Sequence, residues 1–318
     1  MPISRVTSRI RNLSSRCHPE RGGDAVEYVI VLLAVVVIGA GLLAFGTKVA
    51  GQVGGVGNTI GGWFGSGEDV FGGGSAGQAE TAFAVYSEDD HSLDFYKRAE
   101  VPEVGDKFEF KTVTAVYTGF ESEKYVNFSN DDWGNWYGHE PNTPWWSVRN
   151  AVRTVKVVDS GIAPASIDYW FYQMENLSSI GVQKLDTSRC SDFFLTFGCC
   201  NSLTSIDLSS WSTQSLTKLN GTFLSCKRMK SLNLGGWATS NVVSFHCLFQ
   251  NCPAMSDSAM QAAIDQLEIT EKATDFGLMF ECCDKLTLDC SNWNVRADAN
   301  HDRFNNEAPG IILPKAWQ

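Results

Sequence analysis

Few side chains in this 318-residue sequence are spaced for catalysis. His91, His139, His246 and His301 do not recur beside a nucleophile, and the sequence contains neither a Gly-x-Ser-x-Gly turn nor a phosphate-binding glycine loop. The run Asn130-Asp131-Asp132 holds calcium-type ligands, but its spacing misses the calcium-loop pattern and no glutamate closes it. The sequence therefore predicts no catalytic residue, no metal site and no cofactor, and the protein is not expected to be an enzyme.

Cysteine is the one reactive residue type with a regular spacing. Nine of the ten cysteines lie in the C-terminal half, and Cys200, Cys226 and Cys252 are 26 residues apart. Zinc sites need ligands paired at close sequence spacing, whereas one cysteine per period suits a row of small buried side chains. We therefore predict a ladder of buried thiols at these three positions, with a disulfide at Cys247 or Cys290 as an open alternative.

The cysteine spacing belongs to a longer internal repeat. Phe171, Phe197, Phe223 and Phe249 recur every 26 residues, and an insertion shifts the next copy to Phe280. Equivalent apolar side chains of such repeats stack above one another. Strings such as LTSIDLSSW predict one short strand per coil in a parallel sheet, and the insertion SDSAMQAAIDQLE predicts a helix that covers the end of the solenoid. The other columns are Leu177, Leu203, Met229 and Met255; Ile206 and Leu232; Leu208 and Leu234; and Trp211 and Trp237.

The repeat motif carries a family resemblance. The pattern F-x-x-C-x-x-L-T-S-I-D-L-S-S-W-x-T, together with the preceding TPWWSVRNAVRTVKVVD and AVYS segments, resembles the BspA-like leucine-rich-repeat surface proteins over residues 82 to 293. The resemblance implies an extracellular, often adhesive protein without catalytic activity. It also implies binding to host or matrix molecules, without naming one.

The N-terminus is basic and then apolar. The first 22 residues carry a net charge of +4, so the rest of the chain carries −15 of the total of −11. Such an acidic body repels phosphate backbones, and nucleic acid is not expected as a partner. The uncharged run from Val29 to Gly46 is nearly long enough to cross a bilayer. The basic leader predicts that the chain after Lys48 lies outside the cell membrane.

A glutamate at the start of the apolar run gives the segment a second resemblance. The string Arg21-Gly22-Gly23-Asp24-Ala25-Val26-Glu27-Tyr28 resembles the Flp branch of type IV pilins over residues 16 to 60. The resemblance implies that a prepilin peptidase cleaves between Gly22 and Gly23. It also implies that Glu27 and Tyr28 mediate assembly with pilus subunits. A plain signal anchor or a secretory signal peptide is the alternative.

These patterns divide the chain into five segments. They are a basic prepilin-like leader (1–22), a pilin-like hydrophobic helix (23–50), a glycine-rich linker (51–79), a β-rich cap (80–168) and a repeat solenoid with its own C-terminal cap (169–318). The linker prediction rests on 12 glycines in residues 51 to 77. The predicted fold class is α+β, with an N-terminal transmembrane or pilin-like helix and a solenoid of parallel strands.

Two surfaces are candidates for ligand binding. The stacked strands offer outward side chains that the core does not constrain: Thr204, Ser205 and Asp207 in one coil, and Lys230, Ser231 and Asn233 in the next. Aromatic residues form the second candidate, a loop with Trp133, Trp136 and Tyr137, whereas Trp145 and Trp146 are expected in the core of the cap. The predicted function is adhesion to a host protein, matrix or glycan by a minor or tip pilus subunit. A structural pilus subunit without an external ligand, or a signal-anchored surface protein, is the alternative.

Overall fold

A computed structural model describes residues 79–122 and 141–318. Its largest sheet has five strands in the order β5-β1-β2-β6-β7. Strand β1 is antiparallel to both β2 and β5, whereas β6 is parallel to β2 and β7, so the sheet is mixed. The five strands are β1 (Thr81–Ser87), β2 (Ser92–Arg98), β5 (Ala115–Thr118), β6 (Thr154–Val157) and β7 (Ser179–Gly181).

Three two-stranded sheets complete the described β structure. A short antiparallel hairpin joins β3 to β4, and two parallel pairs, β8 with β9 and β10 with β11, belong to the repeats. Their bounds are β3 (Lys107–Phe108), β4 (Lys111–Thr112), β8 (Ser205–Asp207), β9 (Ser231–Asn233), β10 (Thr287–Asp289) and β11 (Gly310–Ile312). Single-turn 3₁₀ helices occupy Trp146–Val148 and Lys315–Trp317.

Alternating side chains of the five-stranded sheet enter two different cores. Leu93 and Phe95 point into the main core, where Phe95 contacts Trp145 edge to face with ring centroids 5.0 Å apart. Trp145 is completely buried, and its indole N–H donates to the carbonyl of Trp170 at 2.6 Å. The prediction that Trp145 belongs to the core is confirmed, whereas Trp146 is only half-buried.

The repeat columns predicted from the sequence stack as expected. Rings of successive phenylalanines from Phe171 to Phe280 lie 5.3 to 5.9 Å apart with nearly parallel planes. The thiols of Cys200, Cys226 and Cys252 are free and buried, and each donates to a carbonyl one coil earlier at 3.1 to 3.2 Å. The predicted thiol ladder is therefore confirmed. Burying each phenylalanine contributes roughly 2 to 3 kcal/mol, which the stack repeats coil after coil.

Each coil turns through two residues with left-handed backbone angles. In one coil these are Leu195, with φ of 50°, and Cys199, with φ of 61°. Their N–H groups donate to the next coil, to Asn220 at 3.0 Å and Leu224 at 2.7 Å. Left-handed angles cost about 1 to 2 kcal/mol in residues other than glycine, so hydrogen bonds between coils must offset this strain. The two columns are Tyr169, Leu195, Gly221, Cys247, Leu278 and Arg303, and Gln173, Cys199, Ser225, Asn251, Cys282 and Glu307.

The predicted helix forms within the insertion as α1 (Asp257–Ile264). Ser256 caps it by accepting from the N–H of Ala259, and Met260 and Ile264 are buried on its inner face. It does not cover the end of the solenoid, because it packs against both β9 and β10. The Asp257 carboxylate accepts from the N–H of Thr287 at 2.9 Å at the start of β10. The helix thus takes the place of a strand and separates the pair β8–β9 from the pair β10–β11.

The predicted α+β class is wrong, and the predicted N-terminal transmembrane or pilin-like helix does not fall among the described residues. Residues 79–122 and 141–318 contain short strands and turns with the single eight-residue helix α1, and the largest sheet is mixed. No helix in those ranges is long and apolar enough to cross a membrane. Residues 23–50, where the helix was predicted, lie outside the described part. The physical reason for the β-rich structure is that a 26-residue coil closes through turns and one three-residue strand.

Candidate functional site

Four neighbouring parallel strands present an exposed polar surface, which we call the strand face. The pairings of β6 with β7 and of β8 with β9 align outward side chains. The strands β7 and β8 belong to different sheets but contact each other, and the 26-residue period places their equivalent residues side by side. Paired strands lie ~4.8 Å apart. Two rows result: a hydroxyl row of Thr154, Ser179, Ser205 and Ser231, and a second row of Lys156, Gly181, Asp207 and Asn233.

The inward side chains of the same strands are apolar. Val155, Ile206 and Leu232 are each at least 93% buried, and they belong to the main core. This strict alternation follows from the period of two along a strand. The outward rows are therefore held by a packed layer directly beneath them, and their own side chains contribute little to the core.

The residues of the repeats predicted as ligand contacts lie together in β8 and β9 or directly before them. The Asn233 amide donates to the Asp207 carboxylate at 2.9 Å, and the N–H of Lys230 donates to the carbonyl of Thr204 at 2.8 Å. Hydrogen bonds from the Ser209 hydroxyl and N–H lower the pKa of Asp207, so this carboxylate is ionised at neutral pH. Their role in binding stays a prediction.

The remaining predicted site residues fall outside the described part of the chain. They are Trp133, Trp136 and Tyr137 of the aromatic loop, Gly22 and Gly23 of the processing site, and Glu27 and Tyr28 of the assembly motif.

A cavity of about 450 Å³ adjoins the strand face on the side of β2 and is lined in part by Thr154, Lys156 and Ser179. Its acidic lining residues share their cations with other carboxylates. Lys111 bonds Asp94 at 2.7 Å and Asp90 at 2.9 Å. Arg98 bonds Glu109 at 2.6 Å and Asp159 at 2.8 Å. The sequence-based prediction did not include this cavity. Its only sequence signal is the alternation of charged and aromatic residues in Lys107-Phe108-Glu109-Phe110-Lys111, which forms the hairpin at its rim.

The hairpin of β3 and β4 ends in a strained turn. Glu109 and Phe110 are its two central residues, with φ of 49° and 67°. Such turns normally use Asn-Gly or Asp-Gly, because both positions need left-handed angles. The Phe110 side chain is nevertheless fully exposed. Strained backbone of this kind often marks a functional segment.

A second ladder of side chains lies on another side of the coils, where isolated parallel bridges connect successive repeats. Burial raises the pKa of Asp168 and of Asp192, and the charge of Lys218 opposes that rise. Further along, the His246 ring lies 3.0 Å from Asp275. These groups bond one coil to the next within the solenoid, which favours a structural role over a binding role.

The thiols are poor nucleophiles and poor ligands. Burial raises the pKa of Cys190 to about 12 and that of Cys283 to about 11, so both stay protonated at neutral pH. Among residues 79–122 and 141–318, no group of three or more His, Cys, Asp or Glu side chains is arranged to hold a metal ion.

These features define the described region as a repeat protein whose coils share one continuous core. Residues 165–269 and 258–311 match the family described as "Mycoplasma protein of unknown function, DUF285". This is the family of BspA-like surface repeat proteins, so the similarity of the repeat region to that group is confirmed. The matched residues include none of the pilin-like segment. No curated protein and no solved structure matches the chain significantly.

Proposed function

We propose that the protein is a bacterial cell-surface binding protein that adheres through the strand face. The observation that carries the proposal is the separation of apolar and polar side chains onto opposite faces of β6 to β9. Their apolar side chains all turn inward, and the outward side chains form two aligned polar rows that the fold does not require. The similarity of the repeats to a surface repeat family supports the same conclusion.

The stacked core makes this face suitable for recognition. Its strands are fixed by the phenylalanine and thiol ladders beneath them, so the outward side chains are positioned before a ligand arrives. Preorganisation of this kind reduces the entropy cost of binding. Surface display is proposed to follow prepilin-type cleavage between Gly22 and Gly23, with Glu27 and Tyr28 mediating contacts with pilus subunits; this part rests on sequence alone.

The adhesion proposal is tested with a triple variant, Asp207→Ala, Lys230→Ala and Asn233→Ala. Cells that display it should bind host matrix and glycans at least about tenfold less well than cells with the parent protein. The matched control is Asp284→Ala with Lys285→Ala, since both residues are exposed and lie beyond α1. Equal adhesion by the folded triple variant and the parent would mean that the strand face is not the binding surface.

The display proposal is tested by N-terminal sequencing of the mature protein from cells. A chain that begins at Gly23 is expected. An intact leader, or a cut near Ala44, would contradict processing of the prepilin type. Glu27→Ala should leave the amount of protein unchanged and lower its incorporation into pili.

A further inference from the structure

Exposed positive charges border the strand face. Arg153 and Lys156 are exposed at β6, and Lys230 is exposed directly before β9. None of the three forms an ion pair with any described residue. The two rows of the face contain one carboxylate, that of Asp207. The face is therefore cationic on a chain whose net charge is −11, and this contrast favours a ligand that carries negative charge.

The floor of the face suits a polar ligand. The hydroxyl row supplies four small side chains that can both donate and accept hydrogen bonds. Val155, Ile206 and Leu232 belong to the core layer beneath, and Ile180 packs against that layer and lines the neighbouring cavity. The two rows themselves offer an acidic peptide no apolar side chain to contact. A glycan, which is rich in hydroxyls and binds without such contacts, fits the surface better.

The cavity beside β6 adds one further cation to the face. Its carboxylates, Asp94 and Glu109, form ion pairs with Lys111 and Arg98, which also bond Asp90 and Asp159. Lys156 lines the same cavity and forms no ion pair with any described residue. Because an unpaired cation attracts anions more strongly than a paired one, Lys156 is the best-placed residue to receive a carboxylate or a sulfate.

We propose that the strand face binds an acidic glycan. Carboxylate or sulfate groups of the glycan contact Arg153, Lys156 and Lys230, and its hydroxyls bond to the hydroxyl row. This inference rests on the proposed adhesive function and names the ligand class for it.

The test uses the purified full chain on surfaces coated with heparin, which carries sulfates, polygalacturonate, which carries carboxylates, or neutral dextran. Binding to at least one acidic surface and not to dextran is expected, and it should weaken as salt rises from 0.05 to 0.5 M, a range over which exposed charges become screened. The preferred surface identifies the anionic group. Lys156→Ala with Lys230→Ala should weaken that binding at least about tenfold.

The matched control is Lys285→Ala with Lys315→Ala, which removes the same charge from exposed positions outside the face and should bind like the parent. A second variant, Ser205→Asp with Ser231→Asp, adds negative charge at exposed positions and should also weaken binding. All variants are first checked for an unchanged thermal midpoint. Equal losses in the control and the test variant would overturn the inference, because only net charge would then matter.

Two further outcomes separate this inference from the adhesion proposal. If cells with the parent protein adhere through the strand face but the protein binds neither acidic surface, the glycan assignment is wrong and the adhesive function stands. If soluble polyglutamate competes as well as the acidic glycan does, the ligand is an acidic polypeptide and the glycan assignment is again wrong.

Discussion

The outward face of β1–β2 and the strand face of β6–β9 are neighbouring surfaces, but the first is covered and the second is exposed. Over β1–β2 the hairpin of β3 and β4 covers Phe83, Val85 and Tyr96, which form a small second core with Val113. Over β6–β9 the outward residues are small or charged, and most are exposed. The difference shows that outward positions become apolar only where a second layer covers them. A bare polar face on the same scaffold is then a surface left available for contacts.

The apolar side chains of the covered face should matter most for stability. Phe83→Ala should lower the free energy of unfolding by about 3 to 5 kcal/mol, because it opens a cavity between the sheet and the hairpin. Ser205→Ala on the strand face should change it by less than about 0.5 kcal/mol. Chemical denaturation of both variants measures the difference. Similar losses in the two variants would show that the strand face is also part of a core.

The stability of the fold should also depend on pH, through acids beside the isolated bridges that connect the coils. Burial raises the pKa of Asp192 and Asp168 in the folded state. The folded chain therefore holds protons that the unfolded chain releases, and these acids make stability fall as pH rises above ~4 through the folded pKa. Asp192→Asn should make the protein more stable relative to the parent as pH increases, by more than about 1 kcal/mol between pH 4 and 8.

Denaturation at several pH values checks this expectation, and Asp207→Asn is the control because its exposed carboxyl has a lowered pKa. Parallel stability curves for the parent and Asp192→Asn would contradict the assignment.

The thiol ladder lies in the main core, which also supports the strand face. Cys226→Ala should cost about 1 to 2 kcal/mol, as it removes a buried sulfur and its bond to the carbonyl of Phe197. Alkylation under non-reducing conditions should label Cys200, Cys226 and Cys252 only after denaturation. Fewer reactive thiols than these three in the denatured protein would indicate disulfides.

A small change in stability is expected from the turn of the β3–β4 hairpin, which covers the second core. Phe110→Gly should stabilise the fold by about 1 kcal/mol, because glycine adopts the left-handed angle of the hairpin turn without strain. Val104→Gly is a control that shortens another exposed apolar side chain outside the turn. A destabilised Phe110→Gly protein would show that the phenylalanine has contacts which offset its strain.

The repeat period allowed much of the solenoid to be predicted from the sequence. Phe197 and Phe223 stack, and Ile206 and Leu232 turn inward, because a fixed spacing dictates which side chains meet. The hairpin at the cavity was not predictable, since Glu109-Phe110 lacks the Asn-Gly signal of its turn type. The mixed sheet was not predictable either. The parallel pairing of β6 with β2 makes it mixed, and such backbone hydrogen bonds leave no mark on the side-chain pattern.

The position of helix α1 limits the extent of any contact on the strand face. Parallel strands run from β6 to β9 and then stop at the helix, so the row spans three strand spacings, or ~14 Å. A footprint this short gives each molecule only a few bonds and a modest affinity. Firm attachment of a cell would then come from avidity, with many copies engaging a repetitive ligand at once.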